Sequence, residues 1–104
     1  MRAPIPDLSI KAIRFVADSY KNCDMAFIYQ EWGNYLRTEL SNLNENATFE
    51  DVLSLVLQLD EEKILQFFNK CSTKYEYEKF KQIFQSRLLC FICKELQIPI
   101  PETK

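Results

Sequence analysis

Residues 73–97 read TKYEYEKFKQIFQSRLLCFICKELQ, and the fold class follows from how that stretch is read. At 100° per residue, Tyr77, Phe80, Phe84, Leu88 and Phe91 fall on one arc, while Tyr75, Glu78, Lys79, Gln82 and Ser86 take the opposite side. The pattern predicts a long helix with a core face. Thr73 with Glu76 has capping-box spacing at its start, and Pro99 and Pro101 follow its end. If all 25 residues are helical, the element is about 37 Å long and can span a small domain. From Leu88 to Cys93 the run LLCFIC is apolar all round, so that half of the helix must be surrounded by other elements or must meet a partner.

Working outward, the rest of the chain supplies the covering. Pro4 and Pro6 are expected to hold residues 1–6 as an extended arm, with Asp7 capping a helix to about Tyr20. After a short connection at Lys21, Asn22 and Cys23, Asp24 is placed to cap a second helix from Met25 to about Leu43, with Met25, Ile28, Trp32, Tyr35, Leu36 and Leu43 on one side. Phe27 lies on the other side, either exposed or covered by another element. A polar loop over 42–47 leads to Thr48, whose spacing to Asp51 suits a capping box for a segment from Phe49 to Leu59. Leu53, Leu55, Leu57 and Leu59 alternate as in a strand. Val52, Leu53, Val56 and Leu59 also form a helical stripe, and leucine favours helix. Asp60 is expected to cap a short helix to about Cys71, with Ile64, Leu65, Phe67, Phe68 and Cys71 turned inward. Residues 98–104 form a C-terminal tail.

These elements make a single all-α domain over residues 1–104, a compact bundle or orthogonal array of about five helices with the long C-terminal helix at its centre. Proline and glycine supply only five of the 104 residues, with Gly33 the sole glycine, which leaves few turn residues for a many-stranded fold. A hydrophobic content of 47% argues for a folded chain. No stretch approaches the ~20 apolar residues of a membrane span, and residues 1–9 lack the apolar run of a signal peptide. An intracellular protein, in cytoplasm or nucleus, is therefore expected, with its four cysteines reduced.

The chemistry available is limited. The absence of histidine removes the commonest general base and metal ligand and excludes Ser-His and Cys-His nucleophiles. One glycine cannot build a phosphate-cradling loop. Cys90 and Cys93 have C-x-x-C spacing, but they lie inside an apolar helical run, far from the helix N-terminus that activates a redox thiol. A zinc site would need Cys23 and Cys71 to converge on them. The expectation is no cofactor, no metal and no evident small-molecule substrate.

What remains is binding. Leu89, Cys93 and Leu96 share a second stripe of the final helix, turned away from the main core arc, and are candidates for a partner surface together with Phe27. Between Arg37 and Lys63 there are seven acidic residues and no basic one. Within that stretch Glu61 and Glu62 are candidates for meeting a basic partner, although acidic residues near helix N-termini also serve the helix dipole. The sequence therefore reads as a non-enzymatic interaction module, an adaptor, inhibitor or assembly subunit, whose partner is another protein or a second copy of itself. The alternative is a small regulatory domain binding nucleic acid through its final helix, where residues 73–94 carry five basic residues against two acidic ones. The net charge of −2 gives no general attraction to polyanions.

Overall fold

A computed structural model describes residues 5–20, 22–44 and 46–101, with side chains from Leu8 onward. Five helices form among these residues, α1 (Ile5–Ala17), α2 (Met25–Leu40), α3 (Phe49–Leu57), α4 (Glu61–Asn69) and α5 (Tyr77–Glu95). No strand forms among them. The radius of gyration is 13.2 Å and the extents are 36 × 34 × 20 Å, so the array is two helix diameters thick. Helix α5 packs on α1, α3 and α4, while α2 packs on α1.

Three of the expected caps form as the sequence indicates. Phe27 N–H donates to the Asp24 carboxylate at 3.2 Å, and Glu62 N–H to the Asp60 carboxylate at 2.9 Å. At α3 both arms of the capping box close, Asp51 N–H to Thr48 Oγ1 at 3.3 Å and Thr48 N–H to the Asp51 carboxylate at 2.9 Å. That box decides the ambiguous leucine segment in favour of helix, and Val52, Leu55 and Val56 become its buried face.

The start of α5 differs from expectation. Thr73 Oγ1 accepts from Tyr75 N–H at 3.2 Å instead of capping a helix, and α5 begins at Tyr77 behind Glu76, whose side chain makes no capping bond. The cause lies just upstream, where Cys71 is joined to Cys23. Asp24 N–H donates to the Lys70 carbonyl at 2.9 Å, which sets the two cysteine-bearing loops side by side. Residues 71–76 are thereby held against the α1–α2 loop and cannot enter the helix until Tyr77. The expectation of four reduced cysteines is overturned by this pairing. Cys90 and Cys93 remain as thiols.

Helix α1 also departs from the reading. Ile5, Pro6 and Asp7 are helical, so Asp7 is not the N-cap and the extended arm does not reach residue 6. Proline is tolerated there because first-turn N–H groups have no intrahelical partner. Residues 1–4 and 102–104, Lys21 and Glu45 lie outside the described residues. After Ala17 the chain tightens through Ser19 N–H to Val16 O at 3.1 Å and Tyr20 N–H to Ala17 O at 3.0 Å, and so ends short of the expected Tyr20. Helix α2 likewise stops at Leu40 instead of Leu43.

The core is aromatic at its centre. Trp32 of α2, Phe67 of α4 and Phe80 and Phe84 of α5 are each 1% exposed or less. Trp32 meets Phe84 edge-on at 5.3 Å and Phe67 at 5.9 Å, and Phe67 meets Phe84 at 5.0 Å. The buried line of α5 runs Phe80, Phe84, Leu88, Ile92, with Cys93 beside it, while Phe91 is half-buried and stacks on Phe15 of α1 at 4.9 Å. The arc drifts from Phe91 to Ile92 because α1 and α3 both pack on this helix. Leu65, expected inward, is 40% exposed. Gly33, the sole glycine, lies inside α2, where a Cβ would come 3.4 Å from Ile10 Cδ1 of α1.

The Cys23–Cys71 bond closes a loop of 48 residues' separation, and the chain-entropy account gives such a cross-link about 2–4 kcal/mol of stability. Urea unfolding with and without reductant checks this. The midpoint should fall on reduction, and Cys23→Ser should show the lower midpoint under both conditions.

Candidate functional site

The stripe of Leu89, Cys93 and Leu96 is not an open surface. Leu89 is half-buried, Cys93 is fully buried and Leu96 is 6% exposed. The end of α5 explains this. Ile98 N–H donates to Cys93 O at 2.8 Å and Gln97 N–H to Lys94 O at 3.2 Å, with Gln97 in the left-handed region at φ 58°. This is the Schellman turn, which brings the residue after the left-handed one, here Ile98, back over the last helical turn. Ile98 is 7% exposed, so the tail closes the outer stripe. Burial pushes the Cys93 thiol above its ordinary pKa, with Cys90 adding to the shift. A thiol so placed is a poor nucleophile at neutral pH. Cys71 precedes α5, whereas Cys90 and Cys93 lie in its second half, about 20 Å along the axis from its start. The four cysteines therefore do not converge, and among the described residues no group of three or more His, Cys, Asp or Glu could hold a metal ion.

The other candidates separate. Phe27 is half-buried, with the Lys70 ammonium 4.7 Å above its ring. Glu61 is exposed but engaged, meeting Lys81 Nζ at 3.2 Å and accepting from Tyr77 Oη at 3.3 Å. Glu62 is exposed in the first turn of α4. Of the basic residues of α5, Lys81 is thus paired, and the Arg87 guanidinium lies 4.5 Å from the centre of the Phe15 ring.

Two regions emerge that the sequence did not single out. One is the corner between α3 and α4. Asp60 N–H donates to Tyr35 Oη at 2.7 Å, and Lys63 sits 5.0 Å over the Tyr35 ring and 3.9 Å from the Glu31 carboxylate. Against this fixed corner Leu57 is 59% exposed and Leu65 is 40% exposed. Both are off-stripe leucines, Leu57 one residue beyond buried Val56 and Leu65 one beyond buried Ile64, which is the one sequence signal that could have marked them.

The other region is a cleft of about 520 Å³ bounded by Ser19, Tyr20 and Asn22 from the α1–α2 loop and by residues 72–75 from the α4–α5 loop. The bonded cysteines are the chain neighbours of two lining residues, Cys23 following Asn22 and Cys71 preceding Ser72. Tyr20 is 8% exposed, its ring packs 4.6 Å from Phe80, and its hydroxyl has no hydrogen-bond partner. Ser19 Oγ and Arg87 Nε are likewise buried and unpartnered. An unpaired buried hydroxyl costs about 1–3 kcal/mol. A smaller depression of about 260 Å³ lies between the end of α2 and α3, with Glu39 and Asp51 on its walls; Asp51 is committed to the α3 capping box.

The chain matches no protein-family model, no curated protein and no solved structure, so its role has to be argued from its own geometry. Among the described residues no helix is long and apolar enough to cross a membrane.

Burial pushes the Tyr20 phenol up to about 12, with Arg87 pulling it back and Tyr75 adding to the rise. Burial first, and the Glu61 charge second, push Tyr77 up to about 12 as well. Both folded values exceed the ordinary phenol value of 10.0. The neutral phenols are favoured in the fold, so their contribution is complete below that value and is lost as pH rises toward 12. Urea midpoints taken at increasing alkaline pH should fall across this window, and fall less steeply in Tyr20→Phe.

Proposed function

We propose that the protein is a non-enzymatic interaction module that binds another protein through the α3–α4 corner. The observation that carries this reading is the pair of exposed leucines, Leu57 and Leu65, on a corner immobilised by the Tyr35–Asp60 hydrogen bond. Exposed large apolar side chains on an anchored stretch of backbone mark candidate partner sites. Asp60, the N-cap of α4, and Glu61 and Glu62 in its first turn follow Leu57 after the α3–α4 connection, so the partner segment that fits is apolar with flanking lysine or arginine. Such a partner would use Glu62 directly, because Glu61 already holds Lys81. The lack of histidine in the sequence agrees with a role in binding and not in acid–base chemistry.

The test is the double variant Leu57→Glu with Leu65→Glu. Both positions are solvent-exposed, so the circular dichroism spectrum and the melting temperature should change little. Cross-linking in the source cell, followed by mass spectrometry, should recover a partner bound to the unaltered chain at α3–α4 and lose it with the variant. Sedimentation of the pure protein separates a second copy from a different protein. Recovery of the same partner by the variant would contradict the proposal.

A further inference from the structure

Every wall of the 520 Å³ cleft beside the cysteine bond offers hydrogen-bond donors, and none offers a carboxylate. Ser19, Tyr20, Ser72, Thr73 and Tyr75 bring hydroxyls, Asn22 an amide and Lys74 an ammonium. Thr73 Oγ1 already accepts from Tyr75 N–H at 3.2 Å, which leaves its O–H free to donate outward. The acidic residues that flank the lining in the chain, Asp18 beside Ser19, Asp24, and Glu76 beside Tyr75, do not themselves line the cleft, and the Asp24 carboxylate is turned to the Phe27 N–H as the α2 cap. Tyr20, 8% exposed, holds a hydroxyl without a partner at the cleft floor, and Arg87 Nε is buried without a partner as well. The guanidinium acts electrostatically on the Tyr20 phenol, so positive potential lies behind the floor as well as at the rim.

From this arrangement we infer that the cleft is a binding site for a small oxyanion-bearing molecule, its phosphate or carboxylate held by Lys74, Tyr20 and the surrounding hydroxyls. Charge-assisted donors in a partly closed site are the ordinary way proteins hold such groups. The Tyr20 hydroxyl has no accessible surface in the free protein, so its bond to the ligand forms only when the side chain or the adjoining loop moves. Residues 72–76 lie outside any helix, although Cys71 ties their start to the α1–α2 loop, and a movement of residues 72–75 is what ligand contact with Tyr20 requires. At about 520 Å³ the cleft has the size of small-molecule sites and exceeds that of a bare ion. Tyr75, 38% exposed and part of the lining, offers its ring to an aryl or other flat apolar part of the ligand. This site is separate from the α3–α4 corner, and its assignment does not depend on the partner surface proposed there.

The probes are phenyl phosphate and benzoate, which share the aryl part and differ in the oxyanion, with inorganic phosphate as the bare anion and benzyl alcohol as the neutral control. Binding is followed by amide shifts in NMR titrations. At least one of the two aryl anions should shift residues 19–22 and 72–75, bind more tightly than benzyl alcohol and weaken as salt is raised. The tighter of the two identifies the oxyanion. Tyr20→Phe removes one buried donor and keeps the ring, so it should weaken that anion by about tenfold or more. The same variant should leave the melting temperature unchanged or higher, because the hydroxyl it removes is unpaired in the free protein. Lys74→Gln, an exposed substitution, should weaken binding and flatten its salt dependence. The assignment is overturned if benzyl alcohol binds as tightly as the anions, if neither anion shifts the cleft residues, or if both variants bind like the unaltered protein.

Discussion

The edge-to-face contact between Trp32 and Phe84, 5.3 Å between ring centres, is the constraint on which the rest of the array depends. Trp32 comes from α2, Phe84 from the middle of α5, and Phe67 of α4 closes the triangle against both. Large rings at these positions fix how far apart three helices lie, because a packed interior tolerates neither a gap nor an overlap of one methylene. Helix α5 also packs on α1 and α3, with α1 reaching its second half through the stack of Phe15 on Phe91. Within the apolar run from Leu88 to Cys93, Leu88, Ile92 and Cys93 are buried in the chain, Leu89 and Phe91 are half-buried and Cys90 is exposed. Leu57 and Leu65, which stay exposed along with Ile10, Tyr75 and Ile100, belong to short helices whose inner faces are already spent on the core.

Scarcity of glycine shapes the details. The only glycine is used inside α2, where α1 approaches closely. The two left-handed positions that the chain requires among its described residues fall to Asn22 at φ 54° and Gln97 at φ 58°. Asparagine tolerates that region, whereas a glutamine there carries the Cβ penalty that glycine avoids. Asn22 lines the polar cleft, whereas Gln97 turns Ile98 over the last turn of α5.

The helices were legible in the sequence because their signals are local. Asp24, Thr48 and Asp60 announce their caps within three residues, and the period of Phe80, Phe84 and Leu88 announces a buried face. Thr73 misled because its capping geometry competes with a restraint 48 residues distant in sequence, the bond from Cys71 to Cys23. No pattern within residues 73–97 encodes that partner. The same holds for the cleft. Ser19, Tyr20 and Lys74 are unremarkable along the chain and become a site only when two loops are brought together by Asp24 N–H and Lys70 O. The cysteine pairing was misjudged on an argument about compartment, and compartment is not a property that residue spacing reports.

A double-mutant cycle on Trp32 and Phe84, with Trp32→Leu, Phe84→Leu and the pair measured by urea unfolding, tests most directly whether the aromatic contact organises the array. Each variant keeps an apolar side chain and removes the ring edge or face. The structure predicts a coupling free energy of about 0.5–1.5 kcal/mol between the two positions, beyond the loss each causes alone. Losses that simply add, to within about 0.3 kcal/mol, would show that the rings do not meet in solution and that the helices are held apart or together by something else.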